Sequence, residues 1–98
     1  MIAVSPEAEA HIDRLIAYYE EKGRIAAAVN LLRALERAKV RIDSAPEAGL
    51  EAPRPYPALK RHGRRWVIEG RYWISYSLTK PPVISGVFYA IADIPNRV

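Results

Sequence analysis

Lys60, Arg61, His62, Arg64 and Arg65 fall within six consecutive positions, and Arg71 follows shortly after. Guanidinium and ammonium groups at that density neutralise phosphate or carboxylate charge. Trp66 and Trp73 stand in the same stretch and offer flat apolar surface to a partner. Tyr89 adds a late phenol and Arg97 a late guanidinium. Two uses of this set are open. Lys60, Arg61, Arg64, Arg65, Arg71, Trp73 and Arg97 can form a partner-binding surface. Alternatively, His62 and Tyr89 can move protons beside charge held by Arg64 and Arg65. Cysteine chemistry is excluded. With no cysteine there is no disulfide, thiol nucleophile or sulfur-ligated zinc. The only histidines are His11 and His62, too few for a His-built metal site, so no metal and no cofactor is expected.

The charge is unevenly spread. Residues 1–51 carry seven Lys/Arg against nine Asp/Glu, whereas residues 52–98 carry eight against two. The net charge of +4 therefore comes entirely from the second half. Such asymmetry points to an acidic partner, either nucleic acid or an acidic protein segment. The alternative reading is an edge strand guarded by charge against aggregation. No apolar run reaches the ~18–20 residues of a membrane span and no basic-then-apolar leader opens the chain, so a cytoplasmic location is expected. At 98 residues there is room for one domain.

The elements that must position these groups are legible. Ile2-Ala3-Val4 reads as a short strand stopped by Ser5-Pro6. Serine can cap a helix, and proline suits its first position, where no N–H is needed. Glu7 and Glu9 then complement the helix dipole. Ala8, Ile12, Leu15, Ile16 and Tyr19 form a helical stripe to a stop at Gly23, predicting a helix over 6–22. His11 lies beside that stripe and reads as structural; Tyr18 and Tyr19 read as packing residues. A second helix is expected over 24–45, with a stripe at Ile25, Ala28, Val29, Leu32, Leu35 and Ile42. The short link makes the pair an antiparallel hairpin. Pro46 and Gly49 end it, and Pro53, Pro55 and Pro57 keep the following connector out of any central strand.

The remainder reads as strand. Arg65-Trp66-Val67-Ile68 leads through Glu69-Gly70 into Tyr72–Leu78, where Tyr72, Ile74, Tyr76 and Leu78 alternate with Trp73, Ser75 and Ser77. Val83 to Ile91 is a nearly continuous apolar run, as in a central strand covered on both faces. The order is β-α-α-β-β-β, an α+β fold with an N-terminal strand and a helical hairpin packed on a small, mainly antiparallel sheet. The sheet face away from the helices is expected to be open to a partner. Trp73, on one aromatic face, is either an anchor there or lies under the loop 50–58.

That order and length resemble the RelE/ParE superfamily of toxins from type II toxin–antitoxin modules. The likeness is carried by Val4-Ser5-Pro6-Glu7-Ala8, by Pro46-Glu47-Ala48-Gly49, by Gly63-Arg64-Arg65 leading to Tyr72-Trp73-Ile74-Ser75-Tyr76, and by Asp93-Ile94-Pro95-Asn96-Arg97. The resemblance implies one of two activities. RelE-like members are ribosome-dependent endoribonucleases; ParE-like members bind and poison DNA gyrase. In both, an antitoxin wraps the toxin, so a hetero-oligomer with a cognate antitoxin is expected.

Residue by residue, the resemblance favours the ParE-like branch. The arginine that RelE-like sites carry after the tyrosine opening the middle strand falls at Trp73 here. The arginine after the last strand falls near Ala92, and the late tyrosine has no counterpart in Asn96-Arg97-Val98. The expectation is a non-enzymatic gyrase inhibitor causing growth arrest, of the kind that serves plasmid stabilisation. The alternatives are a ribosome-dependent mRNA endonuclease with a rearranged site of His62, Arg64, Arg65 and Tyr89, and a family member that has lost toxicity.

Overall fold

A computed structural model describes residues 2–90 of the chain. Its elements run β1 (Ala3–Val4), α1 (Pro6–Glu21), α2 (Ile25–Ser44), 3₁₀ turns at Pro46–Ala48 and Pro57–Leu59, β2 (Arg64–Glu69), β3 (Tyr72–Ser77) and β4 (Val83–Tyr89). The fold is α+β, as the patterning requires. The sheet has the order β1-β4-β3-β2, with β1 parallel to β4 and the other pairs antiparallel. Ile91, expected at the end of β4, lies outside the described residues, as do Asp93 to Arg97.

Local chemistry accounts for the helical hairpin. The Ser5 hydroxyl accepts a hydrogen bond from the Ala8 N–H at 3.1 Å, and Pro6 occupies the first turn. Gly23 at φ +67° takes the left-handed conformation that lets α1 turn back at once into α2. Ala8 and Tyr19 of α1 are buried, with Ile12, Leu15 and Ile16 packed around them. In α2 the buried face differs from the expected stripe. It consists of Leu31, Ala34, Leu35, Ala38 and Ile42, whereas Ile25, Val29 and Leu32 point to solvent. The small Ala34 and Ala38 let the helix lie close to its neighbours, and close approach outweighs the bulk of the outward side chains. Tyr18 is likewise half exposed, while Tyr19 is buried.

The principal core lies between the hairpin and one face of the sheet, where Val67, Tyr72, Ile74, Tyr76, Ile84 and Val87 meet the helices. A register shift between Ser75 and Tyr76 pairs Ser75 with Gly86 and Tyr76 with Ile84, leaving Ser85 as an extra residue in β4. This bulge puts both Val87 and Ile84 on the helical face although three positions separate them. The Ser85 hydroxyl meets that of Ser75 at 2.9 Å.

The other sheet face is not open. Trp66, Trp73 and Phe88 are buried there beneath Leu50, Tyr56 and Leu59 of the connector. Leu50 also exchanges both backbone hydrogen bonds with Trp66, each at 2.7 Å, so the connector pairs with the outer edge of β2. Apolar side chains spaced between the prolines make this cover possible. Gly49 has a matching role. The Tyr76 hydroxyl donates to the Pro46 carbonyl at 2.5 Å. A Cβ at Gly49 would collide with that hydroxyl and lie 3.0 Å from the Trp66 carbonyl oxygen.

Candidate functional site

The cationic run does not form one patch. Arg64 pairs with Ser77 at the open end of the β2–β3 hairpin, whereas Arg71 sits in the turn beyond Glu69 and Tyr72 at the other end. At about 3.3 Å per residue, β2 separates them by on the order of 20 Å. Consecutive strand residues also face opposite ways. Arg65 is opposite the helix-facing Tyr76, and Arg64 lies on the Trp66 side. Several of these cations serve the connector. The Lys60 ammonium pairs with the Glu51 carboxylate at 2.9 Å. Arg61 donates to the carbonyls of Lys60 at 3.0 Å and Ala58 at 3.4 Å. The Arg64 guanidinium donates to the Leu59 carbonyl and lies over the Trp66 ring, 5.2 Å from its centroid. Burial, and then neighbouring Arg61, push the Arg64 pKa down. Arg65 donates to the Arg64 carbonyl at 3.3 Å. β2 is an edge strand, so these charges also guard a sheet edge.

Two further sequence expectations are decided by the structure. Of the two places the sequence left open for Trp73, the structure takes cover by the connector: the residue is 5% exposed inside the aromatic cluster, so its ring is not a surface anchor. The four candidates for a rearranged nuclease site do not converge. His62 is exposed beside the open end of the β2–β3 hairpin, with Arg64 and Arg65. Tyr89 pairs with Tyr72 at the opposite end of the sheet. Arg97 lies outside the described residues.

A cleft of about 1290 Å³ opens at that opposite end, where the turn of the helical hairpin overhangs the β2–β3 turn and the end of β4. His11, Arg14, Leu15 and Tyr18 enter it from one side of α1, and Arg24, Asn30 and Arg37 from the hairpin link and α2. Arg71, Tyr72 and Tyr89 form the sheet side. No Asp or Glu is among the lining residues. Arg37 is engaged nearby: with Arg41 it clasps the Glu69 carboxylate, at 3.1 and 2.8 Å. Burial by itself raises the Glu69 pKa, but the hydrogen bonds from Arg41 and Arg37 outweigh it and hold the group below its ordinary value. Arg14, Arg24 and Arg71 have no ion-pair partner among the described residues.

Two polar contacts organise the cleft wall. The hydroxyls of Tyr19 and Tyr72 meet at 2.5 Å, joining α1 to β3. His11 Nδ1 accepts the Val87 N–H at 3.2 Å, and its ring lies 4.8 Å from that of Phe88. β1 ends opposite Ile84, so His11 supplies the acceptor that a longer strand would have offered. Burial first, then Arg14, lower the His11 pKa against an opposing pull from Glu7.

Of the cleft residues, the sequence reading singled out Arg71 and Tyr89 for function; Arg14, Arg24 and the Tyr19–Tyr72 pair were missed. The available signal was modest: His11, Arg14 and Tyr18 recur at helical spacing along one side of α1. Among the described residues, no group of three or more His, Cys, Asp or Glu side chains is placed to hold a metal ion. None of the described helices is long and apolar enough to cross a membrane. In comparisons with known proteins, no protein-family model and no curated protein matches the chain.

Proposed function

We propose that this protein is the toxin of a type II toxin–antitoxin module, a ParE-like member of the RelE/ParE superfamily that inhibits DNA gyrase and is neutralised by a cognate antitoxin. The carrying observation is Trp73. At the position where the resemblance calls for a phosphate-stabilising arginine, the chain has an indole buried against Trp66, Phe88 and Leu59. A face filled by an aromatic core leaves no room for an RNA phosphate beside a charged group. The separation of Tyr89 from His62, Arg64 and Arg65 weighs the same way. The α+β topology and the Pro46–Gly49 contact with Tyr76 are further support, since they give the quoted motifs a structural reason.

Action by binding rather than catalysis suits a chain of pI about 9.6 whose cleft carries guanidinium groups and no carboxylate. An antitoxin segment rich in acidic and apolar residues would cover such a surface and fold as it binds. Induced expression in a bacterial host tests the module: growth should arrest, and resume when the antitoxin is co-expressed. Unimpaired growth at high toxin levels would count against toxicity.

A further inference from the structure

The Tyr19–Tyr72 pair has one more donor than it uses. Each phenol carries a single hydroxyl hydrogen, and a bond between two hydroxyls consumes one of them. The second hydrogen has no protein acceptor among the described residues and is free to donate to a molecule in the cleft that both side chains line. Burial first, and then the Tyr19 hydrogen bond, raise the Tyr72 pKa far above a phenol's ordinary value, so Tyr72 keeps its proton. The charge of Arg24 acts on Tyr72, but a guanidinium only donates and cannot accept the spare hydrogen. Both groups open into the cleft, where Arg14 and Arg71 add charge without a carboxylate beside them. A cleft-facing hydroxyl donor and three guanidinium groups, with no carboxylate in the lining, favour a ligand that brings anionic oxygen.

We propose that this end of the cleft is an oxyanion site for a phosphate monoester on a small ligand. The spare phenolic O–H and the Arg24 guanidinium would donate to the phosphate oxygens, while Arg14 and Arg71 supply flanking charge. Phosphate suits the site better than carboxylate. It carries close to two charges near neutral pH and offers three acceptor oxygens, against three guanidiniums that a single carboxylate would leave largely uncompensated. The cleft has room for a ligand of nucleotide size, with Tyr18 and Tyr89 as its aromatic walls. The site stands independently of the toxin reading, because it rests on donor and acceptor balance within this chain.

The test is a titration of the full-length protein with inorganic phosphate, a nucleoside monophosphate and acetate at constant ionic strength, followed by backbone amide NMR shifts. Phosphate and the nucleotide should produce saturable shifts centred on Gly23–Ala27 and Arg71–Tyr72, with acetate at least tenfold weaker. Tyr19→Phe/Tyr72→Phe keeps both rings and so preserves packing, and Arg24→Gln changes an exposed residue. Each should weaken phosphate binding at least tenfold, while Arg54→Gln on the connector should leave it unchanged. A wild-type protein that does not bind phosphate, binds acetate equally well, or binds phosphate with undiminished affinity in both variants would overturn the proposal.

Discussion

Replacing Trp73 by alanine separates two readings of this residue. If the indole were a surface anchor, its loss would leave stability nearly unchanged and weaken a partner complex. The structure instead buries it among Trp66, Phe88 and Leu59, with Leu50, Tyr56 and Ala90 at the margin. Truncating a buried aromatic to alanine costs about 3–5 kcal/mol. The lower end applies here, because part of the wall is a connector with no more than short 3₁₀ turns, which can settle into the space. A loss of about 3 kcal/mol is a large share of the roughly 5–15 kcal/mol that holds a domain of this size together. It corresponds to a fall in Tm of about 12–24 °C, at about 4–8 °C per kcal/mol. Urea unfolding followed by Trp66 fluorescence and far-ultraviolet circular dichroism would measure it. Leu32→Ala, on the outward side of α2, is the control and should shift stability by less than about 0.5 kcal/mol. A Trp73→Ala protein within about 1 kcal/mol of wild type would refute the burial argument, and with it the case against a surface role for this face.

Gly49→Ala should destabilise by about 1–3 kcal/mol, because the added Cβ meets the Tyr76 hydroxyl and the backbone of β2; an unchanged urea midpoint would show that this turn can yield. Glu69→Gln should cost about 1–2 kcal/mol at neutral pH, since it removes the charge that Arg37 and Arg41 share while both arginines remain half exposed. Because the folded-state pKa of Glu69 is depressed, its contribution should be full above its ordinary value of 4.5 and fade as pH falls below that; the Gln variant should lack this component of the acid dependence. His11 is also depressed, so the unfolded chain takes up its proton first. Its contribution should be full above pH 6.5 and decline as pH falls through the window below, as the Nδ1 acceptor for Val87 is lost; His11→Leu should flatten stability against pH in that window.

The parts of the fold that depend on neighbouring residues were legible in the sequence. Ser5-Pro6, Gly23 and the alternation from Tyr72 to Tyr76 each act within a few positions, and the elements begin and end where they indicate. Features that depend on distant partners were not. The inward side of α2 is chosen by how closely Ala34 and Ala38 can approach other elements, which a search for bulky stripes overlooks. The cover over Trp73, one of two readings the sequence left open, comes from Leu50, Tyr56 and Leu59, apolar residues of a proline-rich connector with no periodicity to decide between the two. The cationic run misled for a geometric reason: a strand sends Arg64 and Arg65 to opposite faces and carries the chain away from Arg71. The cleft was hidden for the converse reason, because Arg14, Arg24 and Arg71 come from separate parts of the chain and line one cleft only when the hairpin packs on the sheet.

The most direct test of the proposed function is a supercoiling and cleavage assay with purified gyrase, with and without antitoxin. Inhibition accompanied by trapped double-strand breaks, both reversed by the antitoxin, is the expected result. Supercoiling that continues undisturbed in excess toxin, together with toxin-dependent cuts in ribosome-bound message, would contradict it.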